Sequence, residues 1–357
     1  MRIGYDISPL HFSSGGTAVV TREVLAALHR GSHEHTLKEI SCPIRNPDQP
    51  HGKADVLRWQ FNWTRSGIQK AVRKHQLDLV HVPSTIAPSH IDVPLVVTIY
   101  DIFPIRLPET AKVWHRKSIA HFLPKVLERA DHVITISHYT KGEILEAFPR
   151  TNAEKLVPVH LGVHPQFGRV GDNAQAAARE KYGLHKPVIL SVCSLEPRKN
   201  LARLIEAFAR LKNQCEHQLV LVGEFKYKVE QLTALIEHHG LTNRIITTGY
   251  VPFEDLPVLY SLADAFVYPS IYEGFGLPVL EAMRCGCPVL ASNVTSIPEI
   301  AGGHAILVDP LQVDEITSGL QQLISTPSGL EAAREHAETF TWERTVEKTL
   351  SVYEKAI

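Results

Sequence analysis

The sequence predicts an α/β protein built from two domains of similar size. Its 357 residues exceed what one ordinary core accommodates and suit two domains of roughly 150 to 180 residues. Short β-branched apolar runs alternate with amphipathic helical stretches, as is typical of parallel strands that are covered on both faces. This alternation begins again near residue 187, after a Gly- and Pro-containing stretch at 160–173 without periodicity. We expect the linker between the domains in that stretch.

Each half contains five predicted strands. In the first half, the predicted strands are residues 2–7, 77–82, 95–100, 132–137 and 155–159, and the helices include 21–30, 66–75 and 113–129. In the second half, the predicted strands are residues 187–194, 217–223, 244–251, 264–270 and 287–293. A helix at 200–212 follows the first of these strands, with Asn200 in the position of an N-cap.

The composition excludes several classes of protein. Hydrophobic residues make up 44% and charged residues 21%, with a formal net charge of -1, so we expect a globular protein that does not bind nucleic acid. No window approaches the roughly 18 apolar residues of a membrane span. Five cysteines, an odd and small number, predict reduced thiols and a cytoplasmic location. The 20 histidines show no ligand spacing, so no metal site is expected.

The loops that follow predicted strands are the first candidates for a functional site. Ligands of open parallel sheets bind at the carboxyl ends of the strands, and two such sheets facing each other would form a cleft. Five loops at such positions contain glycine, charged or aromatic residues. Their sequences are SPLHFSSGGTA, TIYDIFP, SLEPRKN, TTGYVPFEDL and YPSIYEGFGLP.

The last of these loops, with the helix after it, predicts a phosphate site flanked by acids. Pro278 suits a first helical position and Gly276 the non-helical residue before it, and the free amides of a helix start attract phosphate. We expect Glu281 in the first turn and Glu273 in the loop, both suited to accept hydrogen bonds from sugar hydroxyls. Alternatively, Glu281 only complements the helix dipole and Glu273 is solvated.

Two further loops supply candidate charges. Arg198 and Lys199 would neutralise a diphosphate without a metal ion. Asp101 would orient an attacking hydroxyl, bind a donor sugar, or simply cap its loop. Gly15 and Gly16 form a glycine turn after the first strand, but they match neither the dinucleotide fingerprint nor the Walker pattern.

Together these segments resemble the retaining glycosyltransferases of family four. The similarity lies in EGFGLPVLEAM with its E-x7-E spacing, in LYSLADAFVYPS before it and GCPVLASN after it, and in SLEPRKNLARLIEAFARLK and TTGYVPFEDLPVLY. It extends from about residue 94 to the end and is thin before residue 80. The resemblance implies the GT-B fold of two facing Rossmann-like domains. An acceptor domain would span 1–165, a nucleotide-sugar domain 172–341, and a C-terminal helix at about 342–357 would cross back to the first domain.

The resemblance also implies roles for individual residues. Glu273 would contact the donor sugar and Glu281 the ribose, while Arg198 and Lys199 neutralise the diphosphate. The backbone amides of Phe275, Gly276 and Leu277 would cradle the diphosphate. The loop with Gly15 and Gly16 would close over the phosphates, and Tyr250 and Val251 would line the base pocket.

One position departs from the family pattern. Asp101 matches the family's aspartate, but Tyr100 stands where a histidine is common. Either the Tyr100 hydroxyl serves the same sugar oxygen, or the loop has a different shape.

The function implied is metal-independent sugar transfer with retention, from a nucleotide-diphosphate sugar to a saccharide or lipid-linked acceptor in surface polysaccharide synthesis. Residues 99–137 resemble the mannosyltransferase branch, which suggests GDP-mannose as donor. A non-catalytic sugar-nucleotide binding protein and a sugar-nucleotide epimerase are the alternatives.

Two segments of the first half are candidates for the acceptor side. The segment KVWHRKSIAHFLPKVLERA combines basic and aromatic residues, so it either contacts anionic lipid on the inner face of the membrane or forms an ordinary surface helix. The aromatic residues of 58–65 either stack on acceptor sugars or pack internally.

Overall fold

A computed structural model of the chain describes residues 1–12, 15–31, 34–43, 53–224 and 229–357. Its internal contacts divide the chain into two compact units. The first unit comprises Met1–Gly162 and Thr341–Ile357, and the second unit comprises Val163–Phe340. Each unit contains a six-stranded sheet.

The secondary structure alternates strands and helices throughout both units. The strands are β1 Arg2–Asp6, β2 Thr36–Ile40, β3 Leu79–Val82, β4 Leu95–Ile99, β5 His132–Thr135, β6 Leu156–Pro158, β7 Val188–Val192, β8 Gln218–Val222, β9 Ile245–Gly249, β10 Ala265–Tyr268, β11 Val289–Ser292 and β12 Ile306–Val308. The helices are α1 Pro9–Phe12, α2 Gly16–Arg30, α3 Lys53–Leu57, α4 Ile68–His75, α5 Phe103–Arg106, α6 Val113–Arg129, α7 His138–Ala147, α8 Asp172–Tyr182, α9 Leu201–Leu211, α10 Val229–His238, α11 Leu256–Leu262, α12 Leu277–Arg284, α13 Ile297–Ala301, α14 Val313–Ser325, α15 Leu330–Glu338 and α16 Trp342–Lys355. A π-helical segment, Arg58–Gly67, joins α3 to α4.

The first unit has a parallel sheet in the order β2-β1-β3-β4-β5-β6. Its inner strands consist of buried apolar runs, for example LVVTI in β4, because helices cover both faces of such a sheet. The C-terminal helix α16 packs on one face through Val352 and Tyr353. The Tyr353 hydroxyl lies 2.6 Å from Nδ1 of the buried His81, whose Nε2 lies 2.8 Å from Thr98 Oγ1. The last residues of the chain are thus part of the first core.

The second unit has a parallel sheet in the order β12-β11-β10-β7-β8-β9. Numbered within the unit, this is the 3-2-1-4-5-6 order of the dinucleotide-binding fold, read from its other edge. The strand order reverses between β7 and β10, which pair directly. In sheets of this kind, ligands bind at such a reversal, outside the carboxyl ends of the strands.

Each strand predicted from the sequence has a counterpart, and the long helix has the predicted bounds, Val113–Arg129. The prediction omitted β2 and β12. The helix expected at 21–30 begins earlier, at Gly16, and the helix expected at 66–75 continues a helical segment from Lys53. Within the described ranges, none of the helices combines the length and apolar character needed to cross a bilayer.

Candidate functional site

Two loops meet at the strand reversal of the second sheet. The loop after β7 carries Arg198 and Lys199 in a short 3-10 turn, and the loop after β10 carries Glu273. The Ile271 amide donates to the Arg198 carbonyl across 2.8 Å. The Asn200 side chain donates to the carbonyl of Pro269 across 3.0 Å. These bonds fix the charged residues of one loop against those of the other.

Asn200 differs in role from the prediction. It does precede α9, but its side chain makes no capping hydrogen bond. Its backbone is left-handed, with φ of 60°, and its amide group donates to the Pro269 and Pro310 carbonyls, the latter across 2.6 Å. Asparagine is one of the few residues with a side chain that adopt this conformation readily. Its function here is to join loops, not to cap the helix.

The predicted residues Arg198, Lys199 and Glu273 form one cluster of ion pairs. Lys199 Nζ lies 2.5 Å from Glu273 Oε1, and Arg198 Nη1 lies 3.1 Å from Glu273 Oε2. Lys199 Nζ also donates to the Tyr268 hydroxyl across 2.7 Å, and Arg198 Nη2 lies 2.9 Å from Glu196 Oε1. The side chains of Lys199 and Glu273 are only 7% and 9% exposed. The interpretation of Glu273 as a solvated loop residue is therefore wrong.

The electrostatics of the cluster keep Glu273 ionised. Burial alone would raise the pKa of its carboxyl group, but Lys199 and Arg198 outweigh that effect and lower the pKa to about 2. Burial also raises the pKa of Tyr268 well above its ordinary value, so its phenol stays neutral. The cluster holds two cations against a carboxylate at the end of a strand, which suits an anionic ligand that carries hydroxyl groups nearby.

The backbone after Glu273 is held by two neighbouring hydroxyl side chains. Ser296 Oγ donates to the Glu273 and Phe275 carbonyls across 2.9 and 2.7 Å. Thr295 Oγ1 accepts from the Glu273 amide at 3.3 Å. Thr295 itself has a φ of 61°, which is unusual for a β-branched residue and persists only where the surroundings enforce it. Hydrogen bonds from these two neighbouring residues thus hold the loop in this conformation.

Gly276 begins the helix that this loop leads into. It occupies the N-cap of α12 with φ of 117° and ψ of 42°, and Pro278 lies in the first turn. A Cβ atom on Gly276 would lie 2.6 Å from Ile297 Cδ1. The amides of the first helical turn lack intrahelical acceptors, and the helix dipole adds partial positive charge there. Phe275, Gly276 and Leu277 lie at this helix start, with Phe275 buried. Their role as a phosphate cradle stays a prediction.

The helix α12 begins one residue earlier than predicted, at Leu277 instead of Pro278, which moves Glu281 from the first turn to the start of the second. Because α12 starts at Leu277, Glu281 is in its second turn, and the first turn contains no acidic residue. Its carboxylate accepts a hydrogen bond of 2.9 Å from the Tyr260 hydroxyl. Burial raises the pKa of Glu281 to about 7, although the Tyr260 hydrogen bond acts in the opposite direction. The expectation of a first-turn dipole partner is corrected: Glu281 is a desolvated, hydrogen-bonded carboxyl group.

Two tyrosines of the site were missed by the sequence reasoning. Tyr260 and Tyr268 hydrogen-bond to Glu281 and Lys199, and Phe266 lies between them, with ring centroids 5.2 and 5.9 Å away. Phe266 and Tyr268 alternate along β10 and so share a face of the sheet. That spacing was a usable signal for Tyr268. Tyr260 had no comparable local signal.

The remaining predicted residues lie on other loops. In the second unit, Tyr250 is 71% exposed and Val251 is buried, both just after β9. In the first unit, Asp101 Oδ1 accepts from the Phe103 amide at 3.2 Å, the loop-capping arrangement that the sequence left open. Tyr100 directs its hydroxyl to within 3.5 Å of the buried Thr21 Oγ1, toward α2.

The glycine pair of the first unit also has a structural role. Gly15 caps α2 with φ of 82°, and Gly16 is the first residue of that helix. A Cβ atom on either glycine would meet no described atom within 4 Å. Residues 13 and 14 of the same loop lie outside the described residues.

Comparison with solved structures defines the class of fold. The structure of sucrose-phosphate synthase from Thermosynechococcus elongatus superimposes with a TM-score of 0.81 at 20% sequence identity, covering 99% of this chain and 98% of that one. The predicted GT-B class, with two Rossmann-like domains, is thereby confirmed.

Comparison of sequences then defines the family. The model of the group 1 glycosyl transferases matches residues 174–340, and that of glycosyltransferase family 4 matches residues 14–167. O-antigen chain mannosyltransferase B of Escherichia coli is 33% identical over 294 residues, which cover 79% of this chain and 76% of that protein. The chain belongs to the group 1 glycosyltransferases of family four.

A second relative is named for its donor. The GDP-mannose-dependent alpha-(1-6)-phosphatidylinositol monomannoside mannosyltransferase of Mycolicibacterium smegmatis is 33% identical over 217 residues, or 57% of this chain and 56% of that protein. The predicted enzyme class, glycosyltransferase, is confirmed. The roles of the individual site residues stay predictions.

Proposed function

We propose that this protein is a retaining mannosyltransferase that transfers mannose from GDP-mannose to a saccharide or lipid-linked saccharide during surface polysaccharide synthesis. The observation that carries the proposal is the cluster of Arg198, Lys199 and Glu273 at the strand reversal of the second sheet, next to the start of α12. The names of the two relatives, an O-antigen mannosyltransferase and a GDP-mannose-dependent enzyme, support the choice of donor and pathway.

The chemistry of the transfer follows from the charges of this cluster. The bond between the anomeric carbon and the diphosphate oxygen breaks first, and its electron pair goes to that oxygen. Arg198, Lys199 and the amides at the start of α12 stabilise the negative charge that develops on the leaving group. The departing phosphate takes the proton of the acceptor hydroxyl, whose oxygen bonds the anomeric carbon from the same face. The configuration is retained.

Each other predicted residue has a proposed place in donor binding. Glu273 accepts hydrogen bonds from donor-sugar hydroxyls and Glu281 from the ribose. Tyr250 and Val251 line the base pocket, and Gly15 and Gly16 approach the phosphates. Asp101 orients the reacting sugar or the acceptor hydroxyl. Such positioning contributes to rate because it replaces an encounter in solution with a fixed geometry.

The proposed reaction needs no divalent cation. Two cationic side chains lie within 3.1 Å of Glu273 and supply the charge that a metal ion would otherwise provide to a diphosphate. Turnover is therefore expected to be unchanged after dialysis against EDTA. A requirement for added Mg²⁺ or Mn²⁺ would contradict this part of the proposal.

We also propose that the first unit contacts the inner face of the membrane from the cytoplasmic side. The exposed side chains of Leu57, Phe61, Val113 and Trp114, here called the apolar patch, are four of the seven large exposed apolar side chains among the described residues. Phe61 also meets Phe122 of α6, with ring centroids 5.7 Å apart. Exposed or half-buried basic residues lie within four positions of these residues in the sequence: Arg58, Arg65, Lys112, Arg116 and Lys117. Apolar and cationic groups together favour anionic lipid.

A panel of nucleotide sugars tests the main proposal. The purified protein is incubated with GDP-mannose, GDP-fucose, UDP-glucose and UDP-galactose, with and without methyl α-mannopyranoside as acceptor, and nucleotide release is measured. GDP-mannose should give the highest rate, and NMR of the product should show retained configuration. A faster reaction with a UDP-sugar would refute the donor. Isomerisation of the donor in the absence of acceptor would favour an epimerase. Binding of a nucleotide sugar without turnover would favour a non-catalytic binding protein.

A further inference from the structure

A second carboxylate, that of Glu196, contacts the cations of the candidate site. Glu196 lies directly before the 3-10 turn that carries Arg198 and Lys199. Its Oε1 atom lies 2.9 Å from Arg198 Nη2 and accepts a hydrogen bond of 2.7 Å from Ser194 Oγ. The proposed donor contacts do not include Glu196, although it shares Arg198 with them.

With Glu196 included, the formal charges of these four side chains cancel. Arg198 and Lys199 carry two positive charges, and Glu196 and Glu273 carry two negative charges. A diphosphate is strongly anionic, so it approaches four side chains that have no net positive charge. Its attraction to a cation increases when a carboxylate gives up its contact with that cation. Binding of a diphosphate therefore favours the loss of one of these ion pairs.

Burial decides which carboxylate gives up its cation more easily. The Glu273 side chain is 9% exposed and contacts both Lys199 and Arg198, at 2.5 and 3.1 Å. The Glu196 side chain is 25% exposed and contacts Arg198. Breaking a buried ion pair is strongly destabilising, whereas a pair that reaches solvent contributes less. A phosphate that approaches Arg198 therefore replaces Glu196, while Glu273 keeps its contacts.

We propose that, in the absence of donor, Glu196 occupies the place on Arg198 that a phosphate oxygen of the donor takes when it binds. This exchange lowers the affinity for the diphosphate, because binding breaks the ion pair between Glu196 and Arg198. After transfer, the ion pair forms again and favours release of the nucleotide diphosphate. The inference rests on the proposed transferase function, since it adds a residue to the donor site of that reaction.

Calorimetric titration with GDP and with UDP tests this exchange. In Glu196→Gln, the glutamine keeps an oxygen that accepts from Ser194 but removes the negative charge, so either nucleotide should bind about fivefold more tightly than to wild type. Arg198→Ala should bind both nucleotides about tenfold more weakly. Adding Glu196→Gln to Arg198→Ala should change the affinity by less than about twofold, because Glu196 acts through Arg198.

Two controls isolate the ion pair. Guanosine has no phosphate, so it should bind equally to wild type and to Glu196→Gln. Glu224→Gln removes a negative charge from an exposed residue after β8, whose carbonyl accepts from the Leu195 amide across 3.0 Å. Its affinity for GDP should stay within about twofold of wild type. A disturbed fold would lower affinity, so an increase in Glu196→Gln is not an effect of structural damage.

The outcomes separate this inference from the donor assignment. If Arg198→Ala binds weakly but Glu196→Gln binds no more tightly than wild type, the inference is overturned and the donor site stands. If wild type binds neither nucleotide, or Arg198→Ala binds as wild type does, the donor site is refuted and the inference with it. A gain for UDP alone would support the exchange and contradict GDP-mannose as donor. Should circular dichroism show that Glu196→Gln does not fold, Glu196→Ala, which removes the same charge, decides.

Discussion

The hydroxyl of Tyr260 donates a 2.9 Å hydrogen bond to the carboxylate of Glu281, 21 residues further along the chain. Burial raises the pKa of that carboxyl to about 7, and the hydrogen bond from Tyr260 counteracts part of the rise. Glu281 therefore changes charge near neutral pH, unlike Glu273, whose pKa is lowered to about 2. The two glutamates of one motif thus present different charges to a ligand in mildly acidic solution.

This difference predicts a pH dependence of nucleotide binding. In the proposed contact, an ionised Glu281 accepts hydrogen bonds from both vicinal ribose hydroxyls, so affinity for GDP should increase as pH rises through about 7. Tyr260→Phe removes a hydrogen bond that lowers this pKa, so the increase should shift to higher pH. Isothermal titration calorimetry from pH 5.5 to 8.5 measures both. Glu281→Gln is the control, and its affinity for GDP should be low and should not increase over this pH range. If the midpoint of the increase is the same in Tyr260→Phe as in wild type, the assignment of the pH dependence to Glu281 is contradicted.

The charged cluster predicts loss of turnover without loss of fold. Lys199→Ala and Glu273→Ala should each lower kcat by about 100-fold or more, as expected when a preorganised electrostatic contact to a developing charge is removed. Circular dichroism should show a folded protein in both. Lys186→Ala, an exposed lysine of the same unit, is the matched control and should keep wild-type kinetics. Wild-type rates in the two cluster variants would refute the site.

Much of the fold could be predicted from the sequence, because buried parallel strands consist of continuous runs of apolar, often β-branched residues. Of the two missed strands, β2 lacks that pattern and β12 is too short to show it. Three of the five residues of β2, TLKEI, are exposed, as suits a sheet edge, and β12 has only three residues. Their assignment depends on neighbouring strands that supply hydrogen bonds, and this information is not local.

The candidate site was predictable in its charges and only partly in its contacts. Arg198, Lys199 and Glu273 meet because β7 and β10 are neighbouring strands. The α/β alternation predicted that their loops share an edge of the sheet, but not the strand order. The burial of Glu273, the Tyr260 contact and the loop-joining role of Asn200 depend on pairs separated by 21 to 110 residues. The secondary-structure propensity of single residues carries no information about contacts between residues so far apart in the sequence. Glu281 was assigned to the first turn because the start of α12 was predicted one residue too late, and helix boundaries are the least certain part of a sequence prediction.

The backbone of Gly276 predicts a specific defect in diphosphate binding. Gly276→Ala places a side chain at a φ of 117° and a Cβ atom 2.6 Å from Ile297 Cδ1, which strains the backbone at the start of α12, so GDP affinity should fall at least tenfold. Ile297→Val removes the clashing Cδ1 but not the backbone strain. The double variant should therefore recover only part of the affinity, as measured by calorimetry. The control for strain alone is Gly183→Ala, because Gly183 has a positive φ and its Cβ would have no described neighbour within 4 Å. Equal GDP affinities in all of these variants would show that the start of α12 does not bind the diphosphate.

Asn200 predicts a stability effect in two separable parts. Asn200→Ala loses two hydrogen bonds to carbonyls and places alanine at φ of 60°, which should cost about 2–4 kcal/mol in the free energy of unfolding. Asn200→Gly loses the same bonds without the left-handed strain, so it should be about 1 kcal/mol more stable than the alanine variant. Urea denaturation measures the difference. Equal stability of the two variants would show that backbone conformation is not what the asparagine is needed for.

The apolar patch predicts binding to anionic vesicles that depends on both apolar and cationic groups. Phe61 and Val113 are 50% and 59% exposed, so Phe61→Asn with Val113→Asn should leave the fold intact, since surface changes rarely alter stability by more than about 0.5 kcal/mol. Sedimentation with phosphatidylglycerol vesicles should show the bound fraction of this variant reduced about fivefold or more, because apolar area no longer enters the interface. Leu311→Asn, at a side chain 52% exposed in the second unit, is the matched control and should bind as wild type does.

Binding of wild type should weaken as salt increases, because Lys112, Arg116 and Lys117 act through screened charges. Equal binding to phosphatidylcholine vesicles, or no effect of the double substitution, would show that this surface does not contact the membrane.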